Sequence, residues 1–129
     1  MPRVSAAFFL TGALCILAGG AVGMHIAAGG DAVFAPLHAH LNLVGWATMA
    51  LCGTFYALTR ETMLPWLAWT NYFVLTLGIL IVFPAFALFL AHGNDPKMEP
   101  FLQAGSGLTG LGMVMFTFSA LREFLRKRA

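Results

Sequence analysis

The chain is poor in charge. Only 9% of its 129 residues are Asp, Glu, Lys or Arg, where an average soluble domain carries roughly one quarter. So small a set cannot cover a water-soluble fold, and that class is excluded. The apolar surface must face lipid, other subunits or both. Cysteine is scarce too. Cys15 and Cys52 both lie inside apolar stretches, with no CxxC pair, no CxxCH heme-attachment sequence and no zinc spacing. They read as buried apolar side chains and carry no information about redox compartment. No arrangement of side chains looks like a nucleophile, a base and an acid working together.

What the chain has is apolar length. It is 60% hydrophobic, with a mean hydropathy of +0.83. Four stretches approach or exceed the ~20 residues that cross ~30 Å of hydrocarbon. They run from Val4 to Ala27, from Leu37 to Leu58, from Trp66 to Ala91 and from Phe101 to Phe118, the last continuing as helix into a basic tail. Gly29, Gly30, Asp31 and Pro36 separate the first pair; Arg60, Glu61 and Pro65 the second; the stretch from His92 to Pro100 the third. Backbone groups in lipid must pair within their own segment, so each stretch is predicted as a helix. Pro84 is expected to kink the third. The expected fold is all-α integral membrane, a single four-helix transmembrane domain over residues 1–129. The first segment begins with Arg3 and an apolar run, but no clear cleavage site ends it, so it is read as a retained helix.

The basic residues set the expected topology. Arg3, Arg60, Arg122, Arg126, Lys127 and Arg128 fall on one side, while Lys97 stands with Asp31, Asp95 and Glu99 on the other. The positive-inside rule then puts both termini in the cytoplasm of a multi-pass protein in a bacterial-type inner membrane. The basic tail directly follows an apolar segment, so it signals topology and membrane lipid contact; no nucleic acid partner is expected. Trp66 and Trp69 come to the inner interface.

This topology brings all four histidines to the outer level. His25 ends the first helix, His38 and His40 begin the second, and His92 ends the third. Ionisable side chains at membrane depth are costly and usually functional. Two residues of helix turn the chain by about 200°, so His38 and His40 point to nearly opposite faces. They cannot chelate one metal as an i, i+4 pair could. Each needs a partner from another helix.

The segment His38-Ala-His40-Leu-Asn-Leu-Val-Gly-Trp46 resembles that around the paired histidines in the tenth helix of the heme–copper oxidase and nitric oxide reductase catalytic subunit. The resemblance implies a non-covalent heme b held near the outer face, with His38 and His40 on iron. It implies electron transfer or small-gas (O2/NO) chemistry, with a quinol or a cytochrome as electron donor. It covers about nine residues. The family subunit has about twelve helices in three arcs of four, and three copies of this chain would reproduce that number. The helix count together with the divergence of about 200° leads to an expected homotrimer, with His38 of one protomer and His40 of its neighbour as opposed ligands. His25 and His92 are the only other histidines to complete a site, and neither lies in a copper motif. Whether such a site turns over a substrate stays open. So do two other readings: a copper-binding or oxidase-assembly protein using the four outer histidines, and a cofactor-free accessory subunit of a respiratory complex.

Asn42, one turn from His38, is expected to hydrogen-bond either a ligand histidine or another helix, with Gly45 and Met49 on the same face. Trp46 is expected beside a macrocycle or toward lipid. Gly105-Ser-Gly107-Leu-Thr-Gly110 matches GxGxxG, but within a transmembrane segment it reads as small residues for helix packing. Gly19, Gly20 and Gly23 read the same way, or as room for a flat porphyrin. Thr70, Asn71, Thr76 and Thr117 are expected to bond between helices, and the scattered methionines to pack.

Overall fold

In a computed structural model, which describes residues 1–127, the chain is all-helical. Four helices are long and apolar enough to cross a membrane: α1 (Arg3–Ala27), α2 (Ala32–Leu58), α3 (Pro65–Ala91) and α4 (Pro96–Leu125). Arg128 lies outside the described residues; the other members of the basic cluster lie within them.

Two loops at the histidine end are built alike, and their chemistry explains the early starts of α2 and α4. After α1, Gly29 takes a left-handed φ of +89°, a conformation open to a residue without Cβ. Asp31 then accepts a hydrogen bond from the Val33 amide (3.0 Å) and opens a 3-10 turn, Ala32–Phe34. After α3, Gly93 and Asn94 are left-handed. Asp95 accepts from the Lys97 amide (3.0 Å) and opens the 3-10 turn Pro96–Met98. Each Asp thus satisfies an otherwise orphaned amide. Pro36 and Pro100 stand in the first turns that follow, where no amide hydrogen is needed.

Helix α2 is not uniform. After an α turn over Ala35–His40 it widens into a π-helix, Leu41–Thr48, and returns to α over Met49–Leu58. Thr48 Oγ1 donates back five residues to the Leu43 carbonyl (3.0 Å). π-turns are rare and concentrate at functional sites; this one begins immediately after His40.

Helix α1 packs along the whole of α2, and α3 packs along α4. Glycines set both contacts. A Cβ on Gly45 would come within 2.6 Å of Cys15 Cβ, and one on Gly105 within 2.7 Å of the Val82 backbone nitrogen. Gly105 and Thr109 therefore serve as the small-residue seam expected of them, Gly78 standing against Thr109. Gly107 and Gly110 meet nothing. Phe8, Met49, Cys52, Tyr56 and Leu75 form the core between the two pairs.

Among the described residues, helix α4 packs its backbone mainly against α3 and reaches α2 through side chains at the basic end. There Asn71 Nδ2–H donates to Tyr56 Oη (2.8 Å), and Tyr56 pairs with Ser119 Oγ (3.0 Å). Phe55 meets Phe116 edge to face. Thr62 donates to Glu123 (2.7 Å), and Arg122 to the Thr62 carbonyl (2.6 Å). Of the polar residues expected to bridge helices, Asn71 does so. Thr70 and Thr117 instead donate to Trp66 and Met113 one turn back on their own helices, since a threonine hydroxyl finds the i−4 carbonyl locally. Thr76 Oγ1 is buried without a partner among the described residues.

Candidate functional site

His38 and His40 sit in the single α turn between the 3-10 start of α2 and its π segment, so their spacing keeps ordinary helical geometry. The two rings face different neighbours. His38 is half-buried against α1, with Gly19 and Gly23 as the notch that receives it. A Cβ on Gly23 would fall 2.7 Å from His38 Cε1. His40 lies on the other side, its ring edge-to-face with Phe86 of α3 at 5.3 Å between centroids.

Both imidazoles are held in the same way. His38 Nδ1–H donates to the Gly19 carbonyl and His40 Nδ1–H to the Pro36 carbonyl, each at 2.7 Å. A carbonyl can only accept, so the proton is on Nδ1 and the lone pair on Nε2. This is the arrangement by which metal-binding histidines are oriented, one nitrogen fixed on a backbone oxygen and the other left to ligate.

The two Nε2 atoms differ. That of His38 is approached by Asn42 Nδ2–H at 3.4 Å, the long edge of hydrogen-bonding distance. Asn42 Oδ1 is buried without a partner among the described residues, and the room it occupies exists because position 19 has no side chain. Asn42 does bond a candidate ligand histidine, but on the ligating nitrogen; the orienting bond comes from Gly19. His40 Nε2 has no hydrogen-bond partner among the described residues. His40 is exposed and lines one edge of a cleft of about 150 Å³, with Val44 of α2, Val82, Phe83 and Phe86 of α3, and Ser106 and Thr109 of α4. The cleft separates α2 from α4 above the level where Tyr56 and Ser119 join them.

The remaining sequence candidates lie apart. His25 is exposed at the end of α1 beside Gly30. His92 is exposed past the end of α3, donating to the Leu88 carbonyl (2.9 Å). Trp46 packs toward α1, where a Cβ on Gly12 would meet its Cε3 at 3.2 Å; it is not beside the cleft. Among the described residues, no three His, Cys, Asp or Glu side chains gather as a metal-holding group. Sequence reasoning did not find Phe86, Val82, Ser106 and Thr109 as the walls opposite His40. Ser106 and Thr109 stood in a stretch read as packing, and no pattern marks which apolar residues of α3 face the cleft. The i, i+4 pair Gly19 and Gly23 was the one visible sign of the His38 notch.

No family model matches the chain, and neither the curated proteins nor the solved structures contain a match.

Proposed function

We propose that the chain is a membrane b-type heme-binding protein, with His38 and His40 as iron ligands, related in this segment to the heme–copper oxidase catalytic subunit. The observation that carries the reading is the paired arrangement of the two imidazoles. Each has Nδ1–H fixed on a backbone carbonyl, and the two Nε2 atoms face opposite sides of α2. The donor set fits: neutral imidazole nitrogen is an established axial ligand of heme iron. Apolar, aromatic walls suit a porphyrin and keep the local dielectric low.

One protomer supplies part of the site. Its cleft of about 150 Å³ falls below the ~300–1,000 Å³ of small-molecule sites, so a heme there requires a further wall, which a second chain would supply. A homotrimer in which His38 of one protomer and His40 of the next would hold the heme accommodates both the divergence and the missing volume. Bound heme would supply one-electron redox chemistry, for electron transfer or for small-gas chemistry. The chain's own residues orient the imidazoles, and Val44, Val82, Phe83 and Phe86 give the exposed His40 an apolar wall on one side.

Orientation in the membrane follows from the charges. Arg60, Arg122, Arg126 and Lys127 share the end opposite the histidines, and Lys97 accompanies three acids at the other. Both termini therefore face the cytoplasm of a bacterial-type inner membrane, and the histidines lie near the outer face.

Purification followed by a pyridine hemochrome assay tests the reading, together with His40→Ala. Heme b in the native chain, lost or converted to another coordination state in the variant, is the expected result. An unchanged six-coordinate spectrum in His40→Ala overturns it. A colourless protein with stoichiometric copper favours the copper reading instead.

A further inference from the structure

We infer that the C-terminal turns of α4 bind one anionic glycerophospholipid, its phosphate held by Arg122 and Arg126 and an acyl chain laid along Phe118, Leu121 and Leu125. This goes beyond the heme reading, does not depend on it and uses no histidine.

The spacing makes the surface. Phe118, Leu121, Arg122 and Leu125 lie three and four residues apart and share one face of α4, and Arg126 follows just past the last helical residue. Together they line an open groove of about 400 Å³. Phe118, Leu121 and Leu125 are exposed along it. The face therefore runs from apolar to cationic toward the end of the helix, where a span meets the headgroups. A lipid with an anionic head and an apolar tail has the same order.

Both guanidiniums are held in place with donors left over. Arg122 donates one N–H to the Thr62 carbonyl (2.6 Å). Arg126 donates through Nε to a Glu123 oxygen (3.2 Å), and its Nη2 lies 3.2 Å from the same oxygen. A guanidinium carries five N–H donors, and its fork matches phosphate oxygens. Side chains already fixed lose less freedom on binding. Arg60, at the same end, is held more loosely. It has one 3.8 Å contact with Glu61, and its side chain is 64% exposed against 45% for Arg126.

Charge selects the ligand. Glu123 does not line the groove; it faces the turn after α2, where it accepts from Thr62 (2.7 Å). Arg122, Arg126 and Glu123 together carry one net positive charge, which matches a phosphodiester monoanion. A second copy of the chain offers no such match. Among the described residues, the carboxylates at this end are Glu61 and Glu123, and each already pairs with an arginine of its own chain.

Native mass spectrometry of the full chain in nonionic detergent tests the inference by counting bound lipid. The probes are dioleoylphosphatidylglycerol and the zwitterionic dioleoylphosphatidylcholine. One phosphatidylglycerol should bind about fivefold more tightly than phosphatidylcholine, the effect of one charge near a membrane surface. Arg126→Gln and Arg122→Gln should each abolish that preference, and Arg60→Gln should keep it. Excess glycerol phosphate, which has the phosphate but no acyl chain, should not displace the lipid. Should Arg122→Gln fail to fold for want of its Thr62 bond, Arg126→Gln carries the test, since its partner is on its own helix.

Equal binding of the two lipids overturns the inference. So does an equal loss in Arg60→Gln and Arg126→Gln, the mark of diffuse attraction, or displacement by glycerol phosphate, the mark of a free-anion site. If Arg126→Gln breaks an assembly of the chain while lipid binding stays native, the face belongs to a second copy and the inference falls. Heme content, read separately by hemochrome, is untouched by each of these outcomes.

Discussion

The two ends of the molecule join α2 to α4 in different ways. At the basic end the helices are pinned through Asn71, Tyr56 and Ser119, the Phe55–Phe116 contact, and the bonds of Arg122 and Glu123 to Thr62. At the histidine end the same two helices stand apart around a cleft, with His40 on one wall and Ser106 and Thr109 on the other. Polar side chains at the first end bond to one another across helices. At the second, both histidines bond backbone carbonyls through Nδ1, and Nε2 of His40 has no partner among the described residues. The difference teaches where side-chain hydrogen bonds tie α2 to α4 and where the two helices are left apart. At the histidine end His38 joins α2 to α1 through the Gly19 carbonyl, while His40 bonds only its own helix through the Pro36 carbonyl.

The largest effect that would break this comparison is at His40. Because loss of an orienting partner alone costs a metal site ~10–100-fold in affinity, His40→Ala should lower heme content by at least about tenfold, read by hemochrome per mole of protein. Its unfolding midpoint in the heme-free state should stay native, because the ring's partners are its own helix carbonyl and Phe86. Next is Gly105→Ala. The added methyl would lie 2.7 Å from the Val82 backbone nitrogen, and backbone cannot rotate aside. A loss of about 1–3 kcal/mol in unfolding free energy is expected, the range for overpacking.

Tyr56→Phe sharpens the comparison from the basic end. It leaves the buried Asn71 amide without its acceptor and should cost about 1–2 kcal/mol, while heme per folded chain stays unchanged. The smallest effect is Gly107→Ala, where nothing lies within 4 Å of the added methyl. It should be neutral, or stabilising by up to about 1 kcal/mol through helix propensity. Equal costs at Gly105 and Gly107 would refute the packing account of the α3–α4 seam.

Helix number and extent were legible because lipid imposes a simple rule. A span needs apolar length, and four such lengths stand out. The C-terminal bounds Ala27, Leu58 and Ala91 were read correctly because glycine or charge follows closely on each. The starts of α2 and α4 were read late, at Leu37 and Phe101 instead of Ala32 and Pro96. Polar Asp31 and Asp95 look like loop by composition, yet they are the caps that allow each helix to begin.

Of the site, the divergence of His38 and His40 was visible in their spacing, because they share one ordinary α turn. The π segment from Leu41 was not, since apolar periodicity says nothing of an i−5 bond. The contact of Asn42 with Nε2 depends on a ring rotamer set by Gly19, a residue 23 positions earlier. The threonines misled for the opposite reason. Thr70 and Thr117 have local carbonyls within reach and use them.

The central claim is that this small four-helix chain holds iron through imidazoles aimed away from each other. The most direct test is the reduced-minus-oxidised optical spectrum of the protein purified from membranes in mild detergent. The account predicts a b-type heme signal that disappears or changes with His40→Ala. A native protein lacking any heme absorbance, folded and with both histidines intact, would contradict it.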